Sequence, residues 1–259
     1  MRSALAAEAL VSIDGAAGVV RLLVVVLVFA LLSAGLRYRS GLGDGHEEIT
    51  AAVRATVQLG VVGLLIAAVL RSWWLTAAFV TLMIVVASLT ASGRIRAVQR
   101  RWTFAPILLG ALPVTGVLLA VGLLPLEPIS VIPTAGILIG NAMTATSLAG
   151  RRSLEALQER HGELEAGLAL GLLPRDAALL VCQQPARLAL LPGLDQTRTV
   201  GLVTLPGAFV GTLLGGATPI EAAALQLLVL VGVLMAQSVA VALTLEMVVR
   251  GVLRAEPIR

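Results

Sequence analysis

Residues 222–249 read AAALQLLVLVGVLMAQSVAVALTLEMVV and contain a single charged side chain, Glu246. About 20 apolar residues suffice to cross the hydrocarbon core of a bilayer, so this run predicts a transmembrane helix. Comparable runs lie near residues 19–36, 55–70, 74–91, 104–124, 129–149 and 200–217. The mean hydropathy of +0.97 also lies outside the range of soluble domains. The sequence therefore predicts an all-α, polytopic membrane helix bundle with about seven transmembrane helices.

The arginines predict the direction of the chain through the membrane. The sequence has 19 arginines and no lysine, and 16 of the arginines follow the first, third, fifth and last apolar runs. Short loops rich in arginine face the cytoplasm, which predicts an outer N-terminus and an inner C-terminus. We expect residues 1–18 to form an external tail and residues 19–259 a single transmembrane domain. A cleaved signal peptide is the alternative for the first run, but that run is long for this role and follows Glu8 and Asp14.

One segment permits two interpretations. Between Ala177 and Leu194, apolar residues are interrupted by Gln183, Gln184, Pro185 and Arg187. Polar residues and a proline at the middle of a membrane are costly, which favours a cytoplasmic segment over residues 151–198. Whether residues 177–194 are interfacial or embedded in the membrane stays open at this point.

Composition argues against several functions. A phosphate-binding loop of the G-x-x-x-x-G-K-[ST] type needs a lysine, so we expect any ATP and Mg²⁺ to bind to a partner and no cofactor to bind to this chain. One cysteine and two histidines provide neither a disulfide nor a zinc motif, and no metal site is predicted. Both histidines lie in predicted cytoplasmic segments, so no catalytic residue of an intramembrane hydrolase is predicted. The pI near 10.8 reflects arginines in membrane loops, so nucleic-acid binding is not expected.

The predicted cytoplasmic segment begins with an amphipathic helix over residues 151–170. Its apolar positions recur at helical spacing, and Arg151 with Glu155 and Arg160 with Glu163 can form ion pairs on its wet face. Gly171 can then end a helix with a positive φ, and Pro174 can begin another. The pattern predicts a short transverse helix below the membrane.

Several motifs resemble those of a known family. The run EAGLALGLLPRDA at residues 165–177 is similar to the E-A-A-x-x-x-G loop of ABC transporter permeases. VIPTAGILIGNAM at 131–143 and TVGLVTLPG at 199–207, with Arg54 and Gln58, resemble the family of ABC permeases associated with iron export (UPF0014), to which plant aluminium-sensitivity permeases are related.

The resemblance implies a multi-pass protein of the bacterial inner membrane that works with a separate cytoplasmic ATPase, with two copies of each subunit. It implies iron as the exported cargo. It also assigns ATPase coupling to Glu165, Ala166, Gly171, Pro174, Arg175, Asp176 and Ala177.

Polar residues within the apolar runs are candidates for a translocation pathway. We expect Gln58, Asn141, Thr144, Gln226, Gln237 and Thr244 around a central cavity. Each amide could instead bond to a neighbouring helix. Pro133, Gly136 and Gly140, and Pro206, Gly207, Gly211 and Gly215, form two ridges of small residues suited to packing or to hinge motion.

An ATP-independent secondary transporter or channel is the alternative function. Such transporters commonly have internal repeats and buried ionisable residues, and neither is evident here. The predicted spans have no carboxylate, histidine or cysteine at their middle, and Glu127 and Glu246 are the carboxylates at the expected mouths of the pathway.

Overall fold

The computed structural model describes residues 15–254, and over this range the chain is helical without β-strands. Residues 1–14, most of the predicted external tail, and residues 255–259 lie outside this range. Seven of the described helical segments are long and apolar enough to cross a membrane, which confirms the predicted all-α class and the number of spans. The chain divides into two units, Met1–Val69 and Leu70–Arg259.

The first unit is a helical hairpin of α1 (Gly15–Arg39) and α2 (His46–Val69). The connection contains three glycines with positive φ. At Gly45, a Cβ would lie 2.7 Å from the carbonyl oxygen of Ala34, so the close approach of the two helices requires glycine there. Arg37 at the end of α1 forms ion pairs with Glu47 and Glu48 at the start of α2, both at 2.7 Å.

The second unit contains the remaining helices. They are α3 (Trp73–Ile95), α4 (Phe104–Ala120), α5 (Pro128–Glu159), α6 (His161–Ala169), α7 (Pro174–Arg187), α8 (Leu191–Thr199), α9 (Gly207–Leu214) and α10 (Pro219–Val249). Short 3-10 turns precede α4 and connect α7 to α8. The core lies where α3, α4, α5 and α10 meet, and its many alanines allow these helices to pack closely.

Contacts between the helices give their directions. Gly136 of α5 lies against Met83 and Gly150 lies against Ile95, so α3 and α5 run parallel. Asn141 bonds to Gln237 and Gly150 contacts Thr244, so α10 also runs parallel to α5. The rod formed by α7 and α8 runs antiparallel to α10, because Arg175 meets Glu246 near its start and Gly193 meets Gln237 near its end.

The sixth span differs from the prediction. Residues 200–217 do not form a spanning helix, because a tight turn at Gly201 (φ +84°) and Pro206 limit helical structure there to the eight residues of α9. Pro174–Thr199 instead form a continuous rod of 26 residues, about 39 Å long at 1.5 Å per residue. The expected short transverse helix at Pro174 is thus the first turn of this rod, and α6 is the separate short helix between spans five and six.

The polar residues that argued against this rod lie on one side of it. Gln183, Gln184 and Arg187 are exposed, whereas the opposite side, which includes Cys182 and Ala186, is buried. Cys182 thus lies within a candidate span, although not at its middle. The rod over residues 174–199 takes the place of the predicted span at residues 200–217, and α9 is too short to cross a membrane. The number of spans before α10 is therefore unchanged, and so is the predicted direction of α10.

Pro185 is tolerated within the rod because its missing hydrogen bond is replaced. Proline at this position leaves the carbonyl of Val181 without its helical donor. The Arg160 guanidinium donates to that oxygen at 3.2 Å. A buried polar group that would otherwise be unsatisfied is thus bonded from outside the helix.

Candidate functional site

A cleft of about 440 Å³ lies among α5, α8, α9 and α10. Its polar side chains are Asn141, Gln196 and Gln226, and one wall consists of the apolar residues Val229, Leu230 and Val233. Gly140 borders the cleft, and a Cβ on Gly140 would meet no atom within 4 Å. None of the residues that line this amide cleft is ionisable. Its volume suits a small molecule or a complexed ion.

A chain of hydrogen bonds fixes one edge of the amide cleft. The Nδ2 of Asn141 donates to the carbonyl oxygen of Ile137 at 2.9 Å, which leaves Oδ1 to accept from Gln237 Nε2 at 3.2 Å. The Oε1 of Gln237 is buried, has no hydrogen-bond donor within residues 15–254, and lies against Gly193. A Cβ on Gly193 would lie only 1.9 Å from that oxygen. The two amides therefore connect α5 and α10 at a place where α8 must present glycine.

Two sets of polar groups belong to residues that line the amide cleft. Gln226 is 6% exposed, and its Oε1 has no hydrogen-bond partner among the described residues. The first turn of α9 has Pro206 at its N-cap without a side-chain cap, and Gly207 and Ala208 line the cleft. The N–H groups at a helix start have no partner within the helix. A buried acceptor and the first N–H groups of α9 therefore lie at the cleft.

The structure brings together part of the predicted pathway. Asn141, Gln226, Gly136, Gly140, Pro206 and Gly207 line the cleft, and Gln237 bonds to Asn141. Thr144 and Thr244 do not line it, and their hydroxyls donate to Gly140 and Ala240 within their own helices. Pro133 is exposed, Gly211 lies further along α9, and Gly215 caps the end of that helix. Gln58 is an exposed residue of the first unit, so its place on a pathway stays a prediction.

Sequence reasoning missed Gln196 and Gly193, because residues 177–198 were assigned to the cytoplasmic side. The apolar run around Leu188–Leu194 was the available signal that this segment continues through the bilayer. No group of three or more histidine, cysteine, aspartate or glutamate residues suited to a metal ion is found within residues 15–254.

The opposite end of the second unit is strongly basic. The ends of α3, α5 and α10 and the start of α7 lie there, together with Val98, whose N–H donates to the carbonyl oxygen of Arg254. Ten arginines occupy this basic end: Arg94, Arg96, Arg100, Arg101, Arg151, Arg152, Arg160, Arg175, Arg250 and Arg254. Arg71 and Arg198 lie at the other end, so the charge distribution of this unit agrees with the predicted inner face.

The residues predicted to couple the chain to an ATPase lie at the basic end. α5 ends at Glu159, α6 contains Glu165 and Ala166, and Gly171 adopts φ +87° before Pro174 begins α7. The predicted helix end at glycine and the start at proline are confirmed. Asp176 lies in the first turn of α7, and Ala177 packs against Gly167.

Ion pairs connect this motif to the long helices. The Nε and Nη2 of Arg175 donate to the two carboxylate oxygens of Glu246, each at 2.8 Å, and Arg250 also donates to Glu246 at 2.5 Å. Glu246 is therefore held by two guanidinium groups, which leaves it poorly placed to meet a free cation. The predicted pair of Arg151 and Glu155 forms at 3.3 Å.

Arg160 also joins three segments. It pairs with Glu163 of α6, as predicted, and reaches Val181 of α7 from its place at the end of α5. Its guanidinium holds the pKa of Glu163 below the ordinary value for a glutamate, and the carboxylate raises the pKa of Arg160 in turn.

Comparison with known proteins gives a consistent set of relatives. A sequence model of the family described as Uncharacterised protein family (UPF0014) matches residues 20–253. UPF0014 membrane protein STAR2 of Oryza sativa subsp. japonica is 35% identical over 77% of this chain and 71% of its own length. Protein ALUMINUM SENSITIVE 3 of Arabidopsis thaliana is 36% identical over 79% and 76%. Probable iron export permease protein FetB of Escherichia coli is 28% identical over 80% and 82%, and no solved structure matches the chain.

Proposed function

Because the chain belongs to the UPF0014 family of membrane proteins, we propose that it is the permease subunit of an ATP-driven transporter. A separate cytoplasmic ATPase binds ATP and Mg²⁺, two copies of each subunit assemble, and the complex lies in a bacterial inner membrane. The cargo is a metal ion such as iron, moved outward. The name of the relative from Escherichia coli, probable iron export permease protein FetB, supports the direction and the cargo.

One observation carries the proposal. The residues that flank α6 on both sides are joined by their side chains to three of the long helices that form the second unit. Arg160 connects the end of α5 to α7, and Arg175 connects the start of α7 to α10 through Glu246. A partner that moves α6 would therefore displace α5, α7 and α10 together, and α5 and α10 both line the amide cleft.

The surface of this motif suits a protein partner. Leu170 and Leu173 are 86% and 68% exposed in the turn after α6, at the basic end of the unit. Exposed leucines among charged residues mark interaction sites when they form a contiguous patch. We define this leucine knob as residues 168–173, and it is the proposed contact with the ATPase.

The test compares two glycines of this region in membranes that contain both subunits. Gly171→Ala places a side chain at φ +87°, which costs about 1–2 kcal/mol and should reshape the leucine knob. Gly162→Ala is the matched control, because a Cβ there meets no atom within 4 Å and the residue lies within α6 without a positive φ. Permease-dependent ATPase activity and metal efflux should fall together in Gly171→Ala and persist in Gly162→Ala.

Two outcomes would contradict the proposal. One is full coupling in Gly171→Ala and also in the bulkier Gly171→Arg, with normal amounts of permease in the membrane. The other is efflux by vesicles that contain only this chain, which would favour the ATP-independent transporter. Efflux assays across iron, manganese and aluminium then test the cargo.

A further inference from the structure

Arg187 lies at the midpoint of the sixth candidate span. The rod runs over residues 174–199, so 13 residues precede Arg187 and 12 follow it. Each half is about 18–20 Å long at 1.5 Å per residue, whereas half a hydrocarbon core is about 15 Å thick. If this rod crosses the membrane as its length and composition allow, the Cα of Arg187 lies near the bilayer centre.

The guanidinium of Arg187 is exposed and without a partner. Within residues 15–254 it forms no hydrogen bond and no ion pair, in contrast to Arg160 and Arg175. Gln183, four residues before it, and Gln184, three residues before it, are also exposed. Residues at these spacings share one face of a helix. The face of the rod that packs on α5 consists of buried small and apolar residues instead.

Contact of this polar face with lipid is energetically unfavourable. An arginine at the centre of a membrane helix costs from about 3 to more than 10 kcal/mol, and such residues almost always face water or protein. A guanidinium keeps its charge throughout the physiological pH range, so it cannot lower this cost by losing a proton. Two neighbouring carboxamides add to the cost.

We propose that Gln183, Gln184 and Arg187 line a water-filled pathway and that Arg187 selects cargo with anionic oxygens. Under the proposed function, on which this assignment of cargo rests, the metal moves as a complex with carboxylate-type ligands and not as a hydrated cation. A fixed positive charge repels a free cation and attracts the outer oxygens of an anionic complex. The uncharged amide cleft, with helix-start N–H donors, fits the same cargo.

The first experiment needs neither cargo nor ATPase. Cys182 is the only cysteine and is buried, so Cys182→Ala gives a background without thiols. Intact vesicles that contain Gln183→Cys in this background are treated with two methanethiosulfonate reagents. One carries an anionic sulfonatoethyl group, and the other carries a cationic trimethylammonium group. Both reagents react with thiolates in water. Met235→Cys is the matched control, because Met235 is 56% exposed on α10 among apolar neighbours.

We expect Gln183→Cys to react and Met235→Cys to remain unmodified. After normalisation to a free thiol, the anionic reagent should react with Gln183→Cys about tenfold faster than the cationic one, as expected for a unit charge about 8 Å away in a water-filled pathway with a dielectric constant of about 60. Arg187→Gln should abolish this preference and Arg187→Lys should restore it. An unreactive Gln183→Cys would overturn the aqueous pathway. A preference that persists in Arg187→Gln would overturn the role of Arg187.

The second experiment tests the cargo in vesicles that contain the partner ATPase. Iron(III) supplied with excess citrate should be transported several-fold faster than aqueous Mn²⁺, and Arg187→Gln should remove that difference. Faster transport of the aqueous ion would overturn the cargo assignment. If the wild type moves neither form, the proposed function fails, while the reagent preference at Gln183→Cys still decides the role of Arg187.

Discussion

Gly193→Ala should destabilise the second unit through one side chain, Gln237. The new Cβ would lie 1.9 Å from Oε1, 2.9 Å from Cδ and 3.1 Å from Nε2 of that amide. A long side chain usually moves aside at little cost, but Gln237 is 3% exposed and its Nε2 donates to Asn141. The amide must therefore break that bond or displace α8.

The net effect combines two opposing contributions. Overpacking of a buried site costs about 1–3 kcal/mol. Alanine in place of glycine recovers up to about 1 kcal/mol of helix propensity. We expect a net loss of about 1–2 kcal/mol, which for a chain of this size lowers Tm by about 2–8 °C.

The assay is thermal unfolding of four purified proteins in nanodiscs, followed by tryptophan fluorescence: the wild type, Gly193→Ala, Gln237→Ala and the double variant. In the Gln237→Ala background the clash is absent, so Gly193→Ala should be neutral or raise Tm slightly. Gly140→Ala is the control, because its Cβ would meet open space. An equal fall of Tm in both backgrounds would refute the reasoning, since the cost would not come from Gln237.

Further predictions concern helix ends and the connection of α1 to α2. Thr218→Ala removes the capping box that Thr218 and Glu221 form at the start of α10, and it should cost about 1 kcal/mol in unfolding experiments. Arg160 holds the pKa of Glu163 in the folded chain below its pKa in the unfolded chain. The ion pair therefore stabilises α6 at pH values above the unfolded pKa, and this stabilisation is lost as the pH falls through the folded pKa. The protection factors of α6 in hydrogen exchange, which are corrected for the intrinsic pH dependence of amide exchange, should therefore fall on acidification, and Glu163→Gln should remove this fall. Gly45→Ala should disrupt the first unit by about 1–2 kcal/mol, measured as proteolysis of residues 40–45, because Gly45 has φ +73°.

The helical class and most spans were predictable because apolar runs of sufficient length have few alternatives. The helix end at Gly171 and the start at Pro174 were also predictable, since local backbone chemistry decides both. The ion pair between Arg175 and Glu246 was not, because it joins residues 71 positions apart and depends on the direction in which α7 runs.

The sixth span was mispredicted for a physical reason. The average hydrophobicity of a segment cannot distinguish a helix outside the membrane from a membrane-spanning helix that has one polar face toward water. Gln183, Gln184 and Arg187 lower the apolar content of the rod, but the face that packs on α5 is as apolar as any other span. The amide cleft was predicted in part, because Asn141 and Gln226 lie within clear spans, whereas Gln196 depended on the mispredicted one.

The bond from Arg160 to Val181 implies a dependence between two distant positions in the evolution of this chain. As long as residue 185 is proline, residue 160 must supply a long donor to the carbonyl that proline leaves open. In a homologue without this proline, the N–H of residue 185 can donate to the carbonyl of residue 181, so residue 160 no longer needs to donate to it. Sequences should therefore lose the proline first and the arginine afterwards, and the reverse order should be rare.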